Sequence, residues 1–217
     1  MYSMFTVEQL QERLQLSMLD AIDGKSKITD DVIAISGMSS PKNRHIMNNI
    51  GSLEGANYLE IGCYRGSTAI STLFQNNLSN HILVENWKLD YEGTVRQDLF
   101  KYFNDILGYE PNVIEEDCFS FNPLDKGIKD VDIYFYDGEH EFEDQYKALT
   151  HYYDSLSDNF ILVVDDTNYP PVLQGTFKAI EDLNLKINFH RTMHATHNGD
   201  VFNFWNGLYI AVLSKNK

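Results

Sequence analysis

Five short apolar runs constrain the fold most, at residues 58–63, 81–85, 112–116, 131–136 and 160–164. Each is rich in aliphatic and aromatic residues and does not alternate strictly. Strands read this way when both faces of a parallel sheet are covered. Helical stretches separate most of them, at 67–74, 94–107 and 142–156, and another follows at 172–183. Alternating strands and helices need right-handed crossovers, which predicts a doubly wound α/β sheet. Two more runs, 186–194 and 207–213, have no helix between them. They predict an antiparallel hairpin at one edge of a mostly parallel, seven-stranded sheet. Residues 195–206 between them read as a long polar and aromatic loop.

Ahead of the first strand the periodicity is helical. Val7, Leu10, Leu14, Met18 and Ile22 recur at spacings of three and four, and Thr6 with Gln9 has the capping-box spacing. A second helix is expected from Ser40 and Pro41 to residue 50, with Gly51 able to end it. The domain reading is a helical extension over 1–52 followed by a ligand-binding α/β domain over 53–217. Small residues at 35–41 read either as a plain interhelical loop or as a flap over a ligand. Arg44 and His45 read as surface groups on the helix that follows.

The net charge of −15 excludes several partners. A protein that grips nucleic acid presents a basic stripe. Here the longest basic cluster is Lys42, Arg44 and His45. Nucleic acid and anionic membrane surfaces are therefore not expected partners. No apolar run approaches the roughly 18–20 residues that span a bilayer. Glu8 and Glu12 interrupt the N-terminal apolar residues, unlike a signal peptide, so a cytoplasmic location is expected. Cys63 and Cys118 are too few for a disulfide framework and read as buried residues.

The segment Tyr58-Leu59-Glu60-Ile61-Gly62-Cys63-Tyr64-Arg65-Gly66-Ser67 takes a strand through glycines into a helix. Such a turn, beyond the carboxyl end of a strand, forms one wall of a nucleotide-like pocket. The G-x-G-x-x-G pattern of dinucleotide enzymes is missing, which argues against a nucleotide-dependent oxidoreductase. Instead Glu60 precedes the first glycine. An acid there suits a cationic ligand such as the sulfonium and amino groups of S-adenosylmethionine, and suits a pyrophosphate poorly. Glu85 ends the second strand, where a carboxylate can accept from both ribose hydroxyls. Asp117 ends the third, on the adenine side.

The last two parallel strands end in acids, Asp137-Gly138-Glu139-His140 and Asp165-Asp166. Converging carboxylates stay ionised most easily beside a cation, and hard oxygen donors suit Mg²⁺. Asp137, Asp165 and Asp166 are the expected metal set. A metal there would orient an acceptor hydroxyl and lower its pKa. His140 is the candidate base, with Glu139 second.

These residues resemble the class I S-adenosylmethionine-dependent methyltransferases. Within them the chain is most similar to the metal-dependent O-methyltransferases of the catechol, caffeoyl-CoA and macrocin types. The likeness runs from Ser40 to Leu213 and is specific at the strand ends. It implies a Rossmann-like fold. It also implies cofactor contacts from Glu60, Gly62, Cys63, Tyr64, Gly66, Ser67, Glu85, the pair Asp117 and Cys118, and Asp137. His140 stands where catechol-type enzymes have Lys. Asp166 stands where many have Asn, and the macrocin-like group has Asp. The expected reaction is methyl transfer to a hydroxyl of a small molecule, a sugar or a phenol, with a homodimer left open. A non-catalytic subunit of the same fold is the alternative. Tyr169, Phe204 and Trp205 are candidates for a substrate pocket.

Overall fold

The computed structural model describes residues 4–216; residues 1–3 and 217, at the outer ends of the two expected segments, lie outside the described residues. The first helix, α1 (Val7–Ile22), opens with the expected capping box. The Gln9 N–H donates to the Thr6 hydroxyl at 3.3 Å, and the Thr6 N–H donates to the Gln9 side chain at 2.9 Å. A single turn, α2 (Asp30–Ile33), follows. Four residues are too few to show a helical period, so the sequence does not reveal it. Ser40 caps α3 (Pro41–Gly51), accepting from the Asn43 N–H at 3.2 Å.

Five strands run parallel: β1 (Asn57–Ile61), β2 (Asn80–Val84), β3 (Val113–Ile114), β4 (Val131–Tyr136) and β5 (Leu156–Asp165). The tail adds β6 (Leu185–Met193) and β7 (Leu208–Lys215) as an antiparallel pair, with β7 antiparallel to β5. The order is β3-β2-β1-β4-β5-β7-β6, so the hairpin occupies an edge as expected. Strand β3 is shorter than its apolar run, which suits an edge strand.

Two layers of helix cover the sheet. On one face α1, α3, α4 (Ser67–Leu73) and α5 (Val95–Tyr102) lie over Tyr58, Ile133, Phe135, Ile161, Val163 and Ile210. The N-terminal helices are thus part of the layer that buries this face. On the other face α6 (Phe142–Tyr152) and α7 (Pro170–Asp182) lie over Leu59, Ile61, Tyr134, Leu162, Val164 and Ala211. Adjacent strand residues enter opposite layers because side chains alternate along a strand. Both layers are apolar, which is why the strands lack an alternating pattern. Each fully buried Leu or Ile contributes about 1.5–3 kcal/mol. Helix α5 continues into a π-helical turn, Phe103–Leu107, ended by Gly108. Among the described residues no helix is long and apolar enough to cross a membrane.

Strand register fixes where chemistry is possible. Ile61 pairs with both Val84 and Tyr136, and Tyr136 pairs with Val164. The residues that follow these positions, Gly62, Glu85, Asp137 and Asp165, therefore emerge at one rim. The chain order reverses between β1 and β4, the place where open α/β sheets bind ligands.

Candidate active site

A cavity of about 400 Å³ opens at that rim. Gly62 shapes its floor. Its φ is +82°, and an added Cβ would stand 1.9 Å from the Asp137 carbonyl oxygen. Only glycine lets the ends of β1 and β4 come this close. The Asp137 N–H also donates to the Ile61 carbonyl at 2.9 Å. The turn beyond is tied to β2, because Glu85 accepts from the Tyr64 N–H at 2.8 Å and the Trp87 N–H at 3.0 Å. Tyr64, Trp87, Asp166 and Trp205 have left-handed backbone, with φ of 47°, 58°, 61° and 58°, and all four line the cavity. Non-glycine residues held this way gather at functional sites.

Most of the expected site residues meet here. Gly62, Cys63, Tyr64, Ser67, Glu85, Asp117 and Cys118 line the cavity on the cofactor side. Asp137, Glu139, His140, Asp165 and Asp166 line it on the other. Glu60 and Gly66 do not. Glu60 is fully buried on the α4 face, where the Tyr58 and Thr68 hydroxyls donate to its carboxylate. Burial pushes its pKa up to about 7, against the two hydroxyls that pull it down. Thr68, which bonds it, lines the cavity, whereas Glu60 itself does not. Gly66 caps α4, and its Cβ position looks toward Leu99, Ile70 and Phe103.

The segment ahead of α3 holds a correction. Arg44 is buried, not a surface group. Its guanidinium donates to the carbonyls of Val32, Ile33 and Ile35 at 3.2, 2.7 and 2.8 Å, and to the Ser39 hydroxyl at 3.0 Å. Burial lowers its pKa to about 10, so it stays charged at neutral pH. The Ser39 and Ser67 hydroxyls are 3.0 Å apart, and Gly37 lies so close that a Cβ would stand 2.3 Å from Ser67 Oγ. Met38 and Ser39 line the cavity. The expected loop or flap is therefore a pinned wall. A carbonyl-binding arginine leaves no mark in a linear pattern, so the sequence reading missed it. Trp87, Tyr136 and Asn206 also line the cavity unforeseen.

The acidic cluster has an internal order. Burial, then the neighbouring carboxylates, hold Asp137 and Asp165 well above the usual range. Asp166 accepts from Asn206 and is paired with His140 through Nε2. That hydrogen bond raises the His140 pKa. The imidazole stacks on Tyr169, centroids 5.1 Å apart and planes 11° from parallel. Glu139 is exposed and paired with Lys88, which places it poorly as a base. Among the described residues, no group of three or more His, Cys, Asp and Glu side chains is arranged to hold a metal ion. Asp166 is turned to His140 and Asn206. Asp137, Asp165 and Asp166 are neighbours, but they do not form the arranged magnesium set expected of them. Cys63 and Cys118 are free, and burial keeps both thiols protonated, that of Cys118 pushed up to about 12.

No family model matches the sequence, and no curated protein matches it. Solved structures do match. An O-methyltransferase from Bacillus cereus, in complex with S-adenosylhomocysteine, has a TM-score of 0.61 at 12% identity, covering 97% of this chain and 93% of that one. TrmK from M. capricolum, also with S-adenosylhomocysteine, gives 0.52 at 13% identity, covering 79% and 68%. The small RNA methyltransferase HEN1 gives 0.54 at 15% identity, and this chain spans 25% of its length. The fold is that of the S-adenosylmethionine-dependent methyltransferases. In this methyltransferase fold the cavity lies at the switch point of the strand order. Identities this low carry the fold and leave the substrate to the residues of the site.

Proposed function

We propose that this protein is an S-adenosylmethionine-dependent methyltransferase acting on a hydroxyl of a small molecule. One observation carries the reading: Glu85 and Asp137 line the same cavity as a paired His140 and Asp166. The residues fit the cofactor. Glu85 is fixed by two backbone N–H groups at the end of β2, with lone pairs left for a ribose diol. The Tyr136 hydroxyl is buried without a partner and lines the cavity. Asp137 lines the cavity where an ammonium group would favour its ionised form and accept it as a hydrogen-bond partner. Bound there, the cofactor supplies an electrophilic methyl group carried on a sulfonium.

The chain's own part is positioning and proton removal. His140 accepts the hydroxyl proton at Nδ1, since Nε2 is engaged by Asp166. Removing that proton at His140 would leave the acceptor oxygen a better nucleophile toward the methyl group the cofactor would supply. Asp166 stabilises the imidazolium, as the acid does in a Ser-His-Asp arrangement. The charge of −15 and the acids around the cavity favour a small acceptor over RNA.

The test is release of S-adenosylhomocysteine from S-adenosylmethionine across a panel of small hydroxylated acceptors. His140→Ala is expected to lower turnover about a hundredfold or more while affinity for S-adenosylhomocysteine stays within about twofold. Undiminished turnover would contradict the base. Binding without any turnover would favour the non-catalytic subunit.

A further inference from the structure

The carboxylates around the cavity differ in what neutralises them. Glu116 is paired with Lys126, and Glu139 with Lys88. Asp166 is paired with His140. Among the described residues Glu85, Asp90, Asp117, Asp137 and Asp144 line the cavity without an ion pair as well, and Asp165 differs from them in its buried, unpartnered oxygen. It is 3% exposed, it lines the cavity, and its Oδ1 has no hydrogen-bond partner. Among the described residues Lys88 is the only lysine lining the cavity and no arginine lines it, and Lys88 is already engaged. A buried carboxylate oxygen without a partner carries a desolvation penalty that a ligand's cation would relieve. The proposed cofactor brings one ammonium group, which Asp137 meets. Nothing in that reading meets Asp165.

We propose that the acceptor is a hydroxylated amine whose protonated amino group seats against Asp165 Oδ1. This rests on the methyltransferase reading. Asp165 adjoins Asp166 in sequence, and Asp166 holds His140, so the anchor and the base belong to one short stretch of chain. An acceptor that spans them presents its ammonium to Asp165 and its hydroxyl to His140. Trp205 lines the same cavity, and an indole ring adds attraction for an ammonium group. Phosphorylated and carboxylated acceptors are disfavoured, because they bring an anion to a cavity lined by acids and do not provide the cation that would favour the ionised form of Asp165.

The test is calorimetric titration of the full chain, saturated with S-adenosylhomocysteine at pH 7.5. The probes are matched pairs: glucosamine against glucose, and dopamine against 4-ethylcatechol. In at least one pair the amine is expected to bind roughly ten- to a hundredfold more tightly than its neutral partner. Asp165→Asn is expected to erase that preference while retaining S-adenosylhomocysteine binding. Asp165→Ser serves as a second variant should the first fail to fold. Equal binding within both pairs, no probe binding, or a preference that survives in the variant overturns the proposal. So does Mg²⁺ binding, titrated alone, that disappears with Asp165. Failure to bind S-adenosylhomocysteine would overturn the methyltransferase reading as well, whereas the other outcomes leave it standing.

Discussion

The imidazole of His140 is joined through Nε2 to the carboxylate of Asp166, so a residue just beyond β4 and one just beyond β5 act as a pair at the cavity rim. Such a pair fixes the ring's orientation and the nitrogen left free. It also raises the His140 pKa above the ordinary 6.5. A base works only when unprotonated. The rate should therefore climb with pH through that raised value and level off above it. Asp166→Asn is expected to move the acid limb of kcat/KM down toward 6.5 and to lower the plateau about tenfold or more. A pH–rate profile with an unmoved limb would separate the two residues functionally.

Arg44 makes a different expectation. Its guanidinium donates to the carbonyls of Ile33 and Ile35 and shares that of Val32 with the Ile35 N–H. Arg44→Met is expected to cost about 3 kcal/mol in stability, the scale of stranding buried acceptors. Hydrogen exchange across residues 33–39 should accelerate, and S-adenosylhomocysteine affinity should fall as the wall loosens. Arg44→Lys should restore only part, since an ammonium lacks the planar fork. Unchanged exchange in the methionine variant would show that the wall stands without the arginine.

Glu60 predicts a pH dependence of stability. Its folded pKa is about 7 against an ordinary 4.5, with burial the main cause. The folded state thus holds a proton more tightly than the unfolded chain. Its contribution is fully present below pH 4.5 and is lost as pH rises to about 7. The loss is on the order of 3 kcal/mol. Urea unfolding from pH 4.5 to 8 should show wild-type stability falling relative to Glu60→Gln, which carries no proton to lose. Parallel curves for the two proteins would mean that the carboxyl is not held this way.

At Gly62 the constraint is steric. Gly62→Ala places a methyl group 1.9 Å from the Asp137 carbonyl oxygen and strains a φ of +82°. Destabilisation of about 3 kcal/mol or more is expected, with loss of S-adenosylhomocysteine binding. A variant that melts near wild type would mean that the ends of β1 and β4 have room to part.

The strand ends were legible in the sequence because their signal is local. A glycine after Leu59-Glu60-Ile61, or an acid closing an apolar run, needs no knowledge of distant residues. The parallel register then brought Glu85, Asp117, Asp137 and Asp165 to one cavity, as their positions implied. What the sequence hid was orientation. Glu60 lies on the strand face turned toward α4, and no linear pattern tells a buried, hydroxyl-bound acid from a ligand. Arg44 was hidden because its partners are backbone carbonyls. The acids at 137, 165 and 166 were close enough in sequence logic to suggest a metal, but the His140 contact and the left-handed backbone at Asp166 depend on tertiary packing.

Whether the cavity holds the cofactor is decided most directly by calorimetric titration with S-adenosylhomocysteine, on the wild type and on Glu85→Ala. One saturable site is expected in the wild type, weakened about tenfold or more in the variant by loss of a charged hydrogen-bond acceptor. No heat from the folded wild type, or equal affinity in the two proteins, would contradict the placement of the cofactor at the end of β2.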